Sequence, residues 1–340
     1  MNRRARWRVA VGGGVAVGLL AGLVGAGPAM ADPAQPTSYE AVIDAVEPNL
    51  PGLSVWVSGG DSFLWVEVER GRRLEVPGYQ AEPYLRIESD GTVSLNRNSP
   101  AYWTNDDRYG LVEVPPGVSA DAEPAWEVVA GGGRHGWHDH RIHWMSPDTP
   151  PWVEGSAPQV VREWTVPMSL DGEALEVRGT LTWFPGVSPV PWVLVAVLAA
   201  SVGYLASRRG AAAKGWVAVA AAVPAGVVAV AGWVVTPPGA ASWVATFAPV
   251  LAALVGGGVA IARRGGAGAD TPAFLGAVVL VVWVGLRVSA AWAPVLPSGL
   301  PTTVERLLVA TAGGLALGMV VATVTAKTSP SGTKDPRPSR

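Results

Sequence analysis

The sequence contains no cysteine. That excludes disulfides, thiolate metal ligands and cysteine nucleophiles. A domain outside the cytoplasm would have to be held by packing or by metal. Charge is scarce as well. Asp, Glu, Lys and Arg make up 15% of the 340 residues, against about a quarter in a typical soluble domain. The formal net charge is −2 and no basic patch stands out, which argues against a nucleic-acid partner. The shortage is uneven. Residues 40–185 hold most of the acidic side chains, and residues 190–325 are almost bare of charge. Histidine is rare too, with four in the chain. All four fall in RHGWHDHRIHWM, at His135, His138, His140 and His143.

What is present begins with a targeting pattern. MNRRARWR is a basic n-region, VAVGGGVAVGLLAGLVGAG an apolar h-region, and Ala29-Met30-Ala31 an A-x-A cleavage pattern. These predict a secretory signal peptide over residues 1–31, so that the chain from Asp32 onward leaves the cytoplasm. An uncleaved membrane anchor is the other reading, and it sends the next segment the same way.

Residues 32–188 read as an all-β domain. Only SYEAVIDAV (Ser38–Val46) is helical in pattern, with Ser38 as its N-cap. LSVWVSGGDSFLWVEVE alternates around Gly59-Gly60-Asp61, PYLRIESDGTVSLN around Asp90-Gly91, and VREWTVPMSLDGEALEVRGTLTW around Asp171-Gly172. Alternating runs joined by such residues predict hairpins. In the third, Trp164, Val166, Met168 and Leu170 share one face, as do Leu175, Val177, Leu181 and Trp183. Several short strands separated by turns suggest a β-sandwich, Ig-like or cupredoxin-like.

The remainder predicts an all-α membrane domain, residues 189–326. A spanning helix needs about 20 mainly apolar residues. Five candidates fit, near 190–207, 215–236, 242–262, 272–293 and 303–325. With the β domain outside, Arg208-Arg209, Lys214, Arg263-Arg264 and the tail residues Lys327, Lys334, Arg337 and Arg340 all fall inside. The intervening outer loops carry no Lys or Arg, as the positive-inside rule requires. The expected location is therefore the cytoplasmic membrane, multi-pass, with an extracytoplasmic β domain and a disordered cytoplasmic tail over 327–340. Trp192, Trp216, Trp233, Trp243 and Trp292 sit near helix ends, where interfacial belts form. Arg287 interrupts the fourth span in its outer half. An intramembrane charge is a functional candidate, and pairing with Glu305 is its plainest structural role.

The histidine run carries the sharpest chemistry. As a strand, it would put His138 and His140 on one face. A bend near His143 would bring His143 or Met145 to them, with His135 as a further ligand. Imidazole suits zinc and copper, and thioether suits Cu(I), so the set points to copper before zinc. Trp137 and Trp144 flank it. Arg134 and Arg141 oppose a cation unless they point away or pair with Asp139. The spacing matches no standard zinc signature. Ser146 and Asp139 stand close in sequence, but without a nucleophile elbow or oxyanion-type glycine pattern; the chain is not expected to be an enzyme. NRNSPAYWTNDDRYG is a polar loop that suits plain turns and is a candidate neighbour of the histidines. Two other readings of the cluster are a hydrogen-bonded, Trp-rich loop and a pH-responsive switch.

WHDHRIHWM, with GYQAEPYLRIESDG upstream and REWTVPM…LTWFPGVSPVPW downstream, resembles a family of uncharacterised actinobacterial membrane proteins over residues 40–205. That resemblance implies the same order of signal peptide, extracytoplasmic β domain and C-terminal helices. A more general likeness to envelope copper-resistance proteins implies copper capture or handover, with another envelope copper protein and the lipid bilayer as partners. The N-terminal mature histidine of several such copper proteins is absent, since mature residue one would be Asp32. The competing class is a structural or partner-binding envelope protein whose histidines only order a loop or sense pH.

Overall fold

The computed structural model describes residues 33–263 and 265–328. The segment expected to be a signal peptide, Asp32, Arg264 and the tail beyond residue 328 lie outside the described residues. Ten strands come first: β1 (Tyr39–Glu47), β2 (Leu53–Ser58), β3 (Phe63–Val68), β4 (Leu74–Pro77), β5 (Pro83–Ile87), β6 (Val93–Asn96), β7 (Trp126–Ala130), β8 (Arg134–Trp137), β9 (Gln159–Leu170) and β10 (Glu173–Trp183). A five-residue helix, α1 (Pro100–Thr104), lies between β6 and β7.

All three hairpins form in the expected places. β2 pairs with β3 from Leu53↔Val68 to Ser58↔Phe63, β5 with β6, and β9 with β10 from Leu170↔Glu173. Their turn residues decide this. Gly59, Gly60, Gly91, Asp171 and Gly172 all adopt positive φ, which the expected turn sequences supply. The strands form a seven-stranded antiparallel sheet, order β1-β10-β9-β4-β5-β6-β7, and a three-stranded one, order β2-β3-β8. Both sheets feed one buried cluster. Leu64, Val66 and Trp137 come from the smaller sheet, and Leu74, Leu85, Val166, Met168, Leu170, Val177 and Leu181 from the larger. The faces read from alternation in β9 and β10 are the buried ones, and Met168 is core.

The expected helix at Ser38–Val46 is instead β1, paired along β10 from Tyr39↔Trp183 to Glu47↔Glu176. A register shift between Ile43 and Ala45 changes the phase of the strand. A bulge of this kind breaks strict alternation and lets a strand imitate helical spacing.

Five helices follow: α2 (Val190–Ser207), α3 (Ala211–Val235), α4 (Trp243–Arg263), α5 (Thr271–Gly285) and α6 (Thr302–Thr328). Four are long and apolar enough to cross a membrane. This corrects the expectation of five full spans. The segment expected over 272–293 is a 15-residue helix followed by a short 3-10 turn at Val288–Ala291. At 1.5 Å per residue α5 rises about 22 Å, short of the ~30 Å hydrocarbon core. Small residues let the helices approach closely. A Cβ on Gly318 would lie 2.0 Å from the Ala200 carbonyl oxygen, and one on Gly215 would lie 2.6 Å from that of Gly257. Such contacts suit helix association in lipid.

The β domain sits on one end of this bundle. Thr37 and Val295 exchange backbone hydrogen bonds at 3.0 and 3.1 Å, Val187 N donates to Trp292 O at 2.8 Å, and Ser58 Oγ donates to Val235 O at 2.7 Å. Phe63 and Trp65 pack with Ala240 of the α3–α4 connection. Because successive helices alternate in direction, Arg208, Arg209, Arg263 and the Lys214–Asp270 ion pair lie at the opposite end.

Candidate functional site

β8 ends at Trp137, so the histidine run is strand only over its first four residues. The expected strand through His143 is corrected here, and Asp139 supplies the reason. Its fully buried carboxylate accepts from Trp137 Nε1 (2.9 Å), Arg141 N (3.0 Å), Arg141 Nε (2.8 Å) and Arg141 Nη2 (2.7 Å). These bonds curl residues 139–141 into a turn that a ladder could not accommodate. Burial alone would raise the Asp139 pKa; the Arg141 charge and the hydrogen bonds outweigh it and hold the carboxyl below its ordinary value. Arg162 of β9 closes the turn from behind. Its Nη2 donates to the carbonyls of His140, Arg141 and His143, each at 2.8 Å.

The turn gathers the imidazoles of His138 and His140 around His143. The His143 ring is fully buried, with its centroid 5.2 Å from that of His140 and 6.3 Å from that of His138. His143 Nδ1 lies 3.4 Å from Trp144 O, while its Nε2 is buried with no hydrogen-bond partner. Burial pushes the His143 pKa well below its ordinary value, and the neighbouring Arg108, His140 and His138 add to the shift. His138 is almost wholly buried against Phe63, ring centroids 4.4 Å apart. His140 stacks on Tyr79 at 5.6 Å, its Nε2 is 2.9 Å from Asp107 O, and its backbone N donates to Tyr79 Oη at 2.9 Å. Burial lowers its pKa too.

His135 stands apart. It lies on β8 opposite Val66, with its ring stacked on Trp137 at 6.1 Å. Burial holds that imidazole down to about 4. Met145 lies near His140, on the far side of the free space at Gly110. A Cβ built on Gly110 would sit 3.0 Å from His140 Cε1 and 3.5 Å from Met145 Cε. The polar loop around Asp107 and Arg108 thus borders the cluster through His140, as its sequence position allowed.

The two arginines flanking the run are accounted for. Arg141 is paired with Asp139. Arg134 lies over the Trp56 and Trp65 rings, 4.9 and 4.6 Å from their centroids. Gly136 permits that stack. A Cβ there would lie 2.5 Å from Trp65 Cδ2, so any other residue would displace the indole.

His138 also lines a cleft of about 430 Å³, with Tyr39, Arg108, Tyr109, Trp144 and the extended segment Pro33–Pro36 among its walls. This lies within the usual range for small-ligand sites, roughly 300–1,000 Å³. Beneath it, Arg108 Nη2 pairs with the fully buried Asp61 at 2.6 Å, and Asp61 Oδ1 has no hydrogen-bond partner. Burial raises the Asp61 pKa, while Arg108 opposes the shift. Burial and then the Asp61 charge push the Tyr39 phenol up to about 12. Sequence reasoning did not find Asp61, Tyr39, Tyr79 or Arg162. Each is far from the histidines along the chain, and no spacing rule links them.

Among the described residues, no three His, Asp or Glu side chains form a group able to hold a metal ion. Asp139 is committed to Arg141, and His140 Nε2 to a backbone carbonyl. His143 Nε2 is a buried ring nitrogen without a partner, and the His138 and His140 rings lie nearest to its ring. No protein-family model, curated protein or solved structure matches this chain.

Proposed function

We propose that the chain is a membrane-anchored protein of the cell envelope that captures or hands over copper. Its β domain, read as a sandwich of the two sheets, would face the outside. The ion would sit between His138 and His143, with Met145 and His140 next to it and His135 taking no part. The observation that carries this is the buried, unpartnered Nε2 of His143, on a ring whose centroid lies 5.2 Å from that of His140 and 6.3 Å from that of His138. An orphaned buried acceptor needs an explanation, and a soft cation supplies one. The spacing is compatible. With metal–nitrogen bonds of about 2.0–2.1 Å, two imidazoles facing each other across one ion have centroids roughly 6 Å apart. The small donor set favours Cu(I), since structural zinc sites take four ligands. The basic far end of the bundle supports an outward-facing β domain through the positive-inside rule.

A second reading rests on the Arg162 clamp and the Asp139–Arg141 pair. They order the loop with no ion at all, which suits a partner-binding protein whose histidines are structural. The two separate in a Cu(I) titration of the full chain against a chromophoric chelator. Under the copper reading, His138→Ala/His143→Ala weakens binding by more than the roughly 10–100-fold typical of outer positions, while His135→Ala leaves it unchanged. Equal affinity in the double variant removes the copper reading. Sidedness is tested separately. The absence of cysteine makes Asp121→Cys and Arg209→Cys single labelling sites. A membrane-impermeant maleimide added to intact cells should label the first and spare the second; the reverse pattern would place the β domain inside.

A further inference from the structure

A second cavity, about 240 Å³, lies where the helices meet the β domain. It is bounded by the last turns of α3, the first turns of α4 and the end of α5, so it sits near one end of the bundle rather than at its middle. Pro33–Pro36 cover it, the same segment that walls the cleft beside His138. Two charged residues line it, Arg287 and Glu305, with Arg306 next to Glu305 in the chain, and the three are unequally satisfied. Glu305 accepts from Ser298 Oγ at 2.5 Å. Arg306 donates its Nε to Ala290 O at 2.9 Å and its Nη2 to Ala293 O. Arg287 forms no ion pair within 4 Å among the described residues, so the expected Arg287–Glu305 bridge is not made. Its guanidinium carbon lies 3.8 Å above the centre of the Trp283 ring, and its Nη1 reaches Trp283 O at only 3.3 Å. Arg287 and Glu305 both line the cavity, whose rim includes the exposed side chains of Trp233 and Leu286.

We propose that this cavity binds the phosphate head group of an anionic phospholipid. Arg306, next to Glu305 in the chain, offsets that carboxylate from outside the cavity lining, which leaves Arg287 as the cation facing the space. A planar guanidinium held on an indole face keeps its outer edge open for two parallel bonds to a phosphate. Head groups lie at the depth of the outer helix ends, and exposed apolar side chains at the rim offer a path for the acyl chains. The segment over the cavity would contact the head group and the histidine cleft at once.

The test uses the full chain in nanodiscs of phosphatidylcholine with a minor fraction of phosphatidylglycerol, then native mass spectrometry of the retained lipid. The wild type should keep phosphatidylglycerol over phosphatidylcholine. Arg287→Gln should lose about tenfold or more of that retention, as expected for a lost charge-assisted bond, and Arg287→Lys should keep part of it. Gly232→Leu gives a second route, because a Cβ at this cavity-lining glycine meets no atom within 4 Å. It should fill the space and expel the lipid without touching the charges. Equal retention of the two lipids by the wild type, or undiminished phosphatidylglycerol in folded Arg287→Gln or Gly232→Leu, overturns the proposal. Displacement of the lipid by millimolar inorganic phosphate would identify a free-oxyanion site and overturn the lipid assignment.

Discussion

Replacing Asp139 by Asn should loosen the whole histidine loop. The carboxylate is fully buried, and the Arg141 side chain paired with it is only 18% exposed. Four donors converge on its two oxygens at 2.7–3.0 Å. Asparagine removes the charge and turns one acceptor into a donor facing donors. Taking one partner from a buried ion pair costs about 3–5 kcal/mol. The remaining exposure of Arg141 places this case near the lower end, about 3 kcal/mol. At roughly 2–4 °C per kcal/mol for a domain of this size, the Tm of the β domain should fall by about 6–12 °C. The assay is thermal unfolding of the full chain in detergent, followed by near-ultraviolet circular dichroism, since Trp137 and Trp144 flank the loop. Asp139→Leu/Arg141→Met, which deletes both charges, should recover part of the loss. The reasoning predicts a matching pH effect. A carboxyl held below its ordinary pKa stabilises the fold above the unfolded-state value and loses that contribution as pH falls through the folded value. A change under 1 kcal/mol in Asp139→Asn would refute the view that this carboxylate builds the loop.

Two further outcomes rest on other residues. Gly136→Ala forces a methyl to within 2.5 Å of Trp65 Cδ2; overpacking of this kind costs about 1–3 kcal/mol, and displacing the indole from under Arg134 should shift the tryptophan emission. Native fluorescence and Tm would have to stay at wild-type values for the packing argument to fail. His135, held at about 4 by burial, has a folded pKa below its unfolded one. Its contribution is therefore present above about pH 6.5 and is lost as pH falls towards 4. The loss should be about 2–3 kcal/mol after allowance for partial exposure. His135→Leu should flatten the stability–pH curve over that window, and an unchanged slope would contradict the assignment.

How much of this was legible in the sequence follows from the range of the interactions. The hairpins were, because Asp90-Gly91 and Asp171-Gly172 act on their immediate neighbours. The presence of the helices was, because hydropathy is also local, but the end of the fourth was not. β1 misled because its bulge shifts phase between Ile43 and Ala45, which dissolves the period-2 signal. The short α5 misled because Leu286–Trp292 is apolar enough to extend a span, yet its backbone tightens into a 3-10 turn. The histidine loop was legible as a cluster but not as a shape. Its turn depends on Arg162 and Tyr79, tens of residues away, and no spacing within RHGWHDHRIHWM encodes those contacts.

X-ray absorption at the copper edge, on the full chain loaded with one equivalent of Cu(I), tests the central claim most directly. The account predicts a low-coordinate ion bound by two imidazole nitrogens, with any sulfur contribution vanishing in Met145→Leu and the imidazole signal vanishing in His138→Ala/His143→Ala. A spectrum without imidazole scattering, or one that the double variant leaves unaltered, would contradict it.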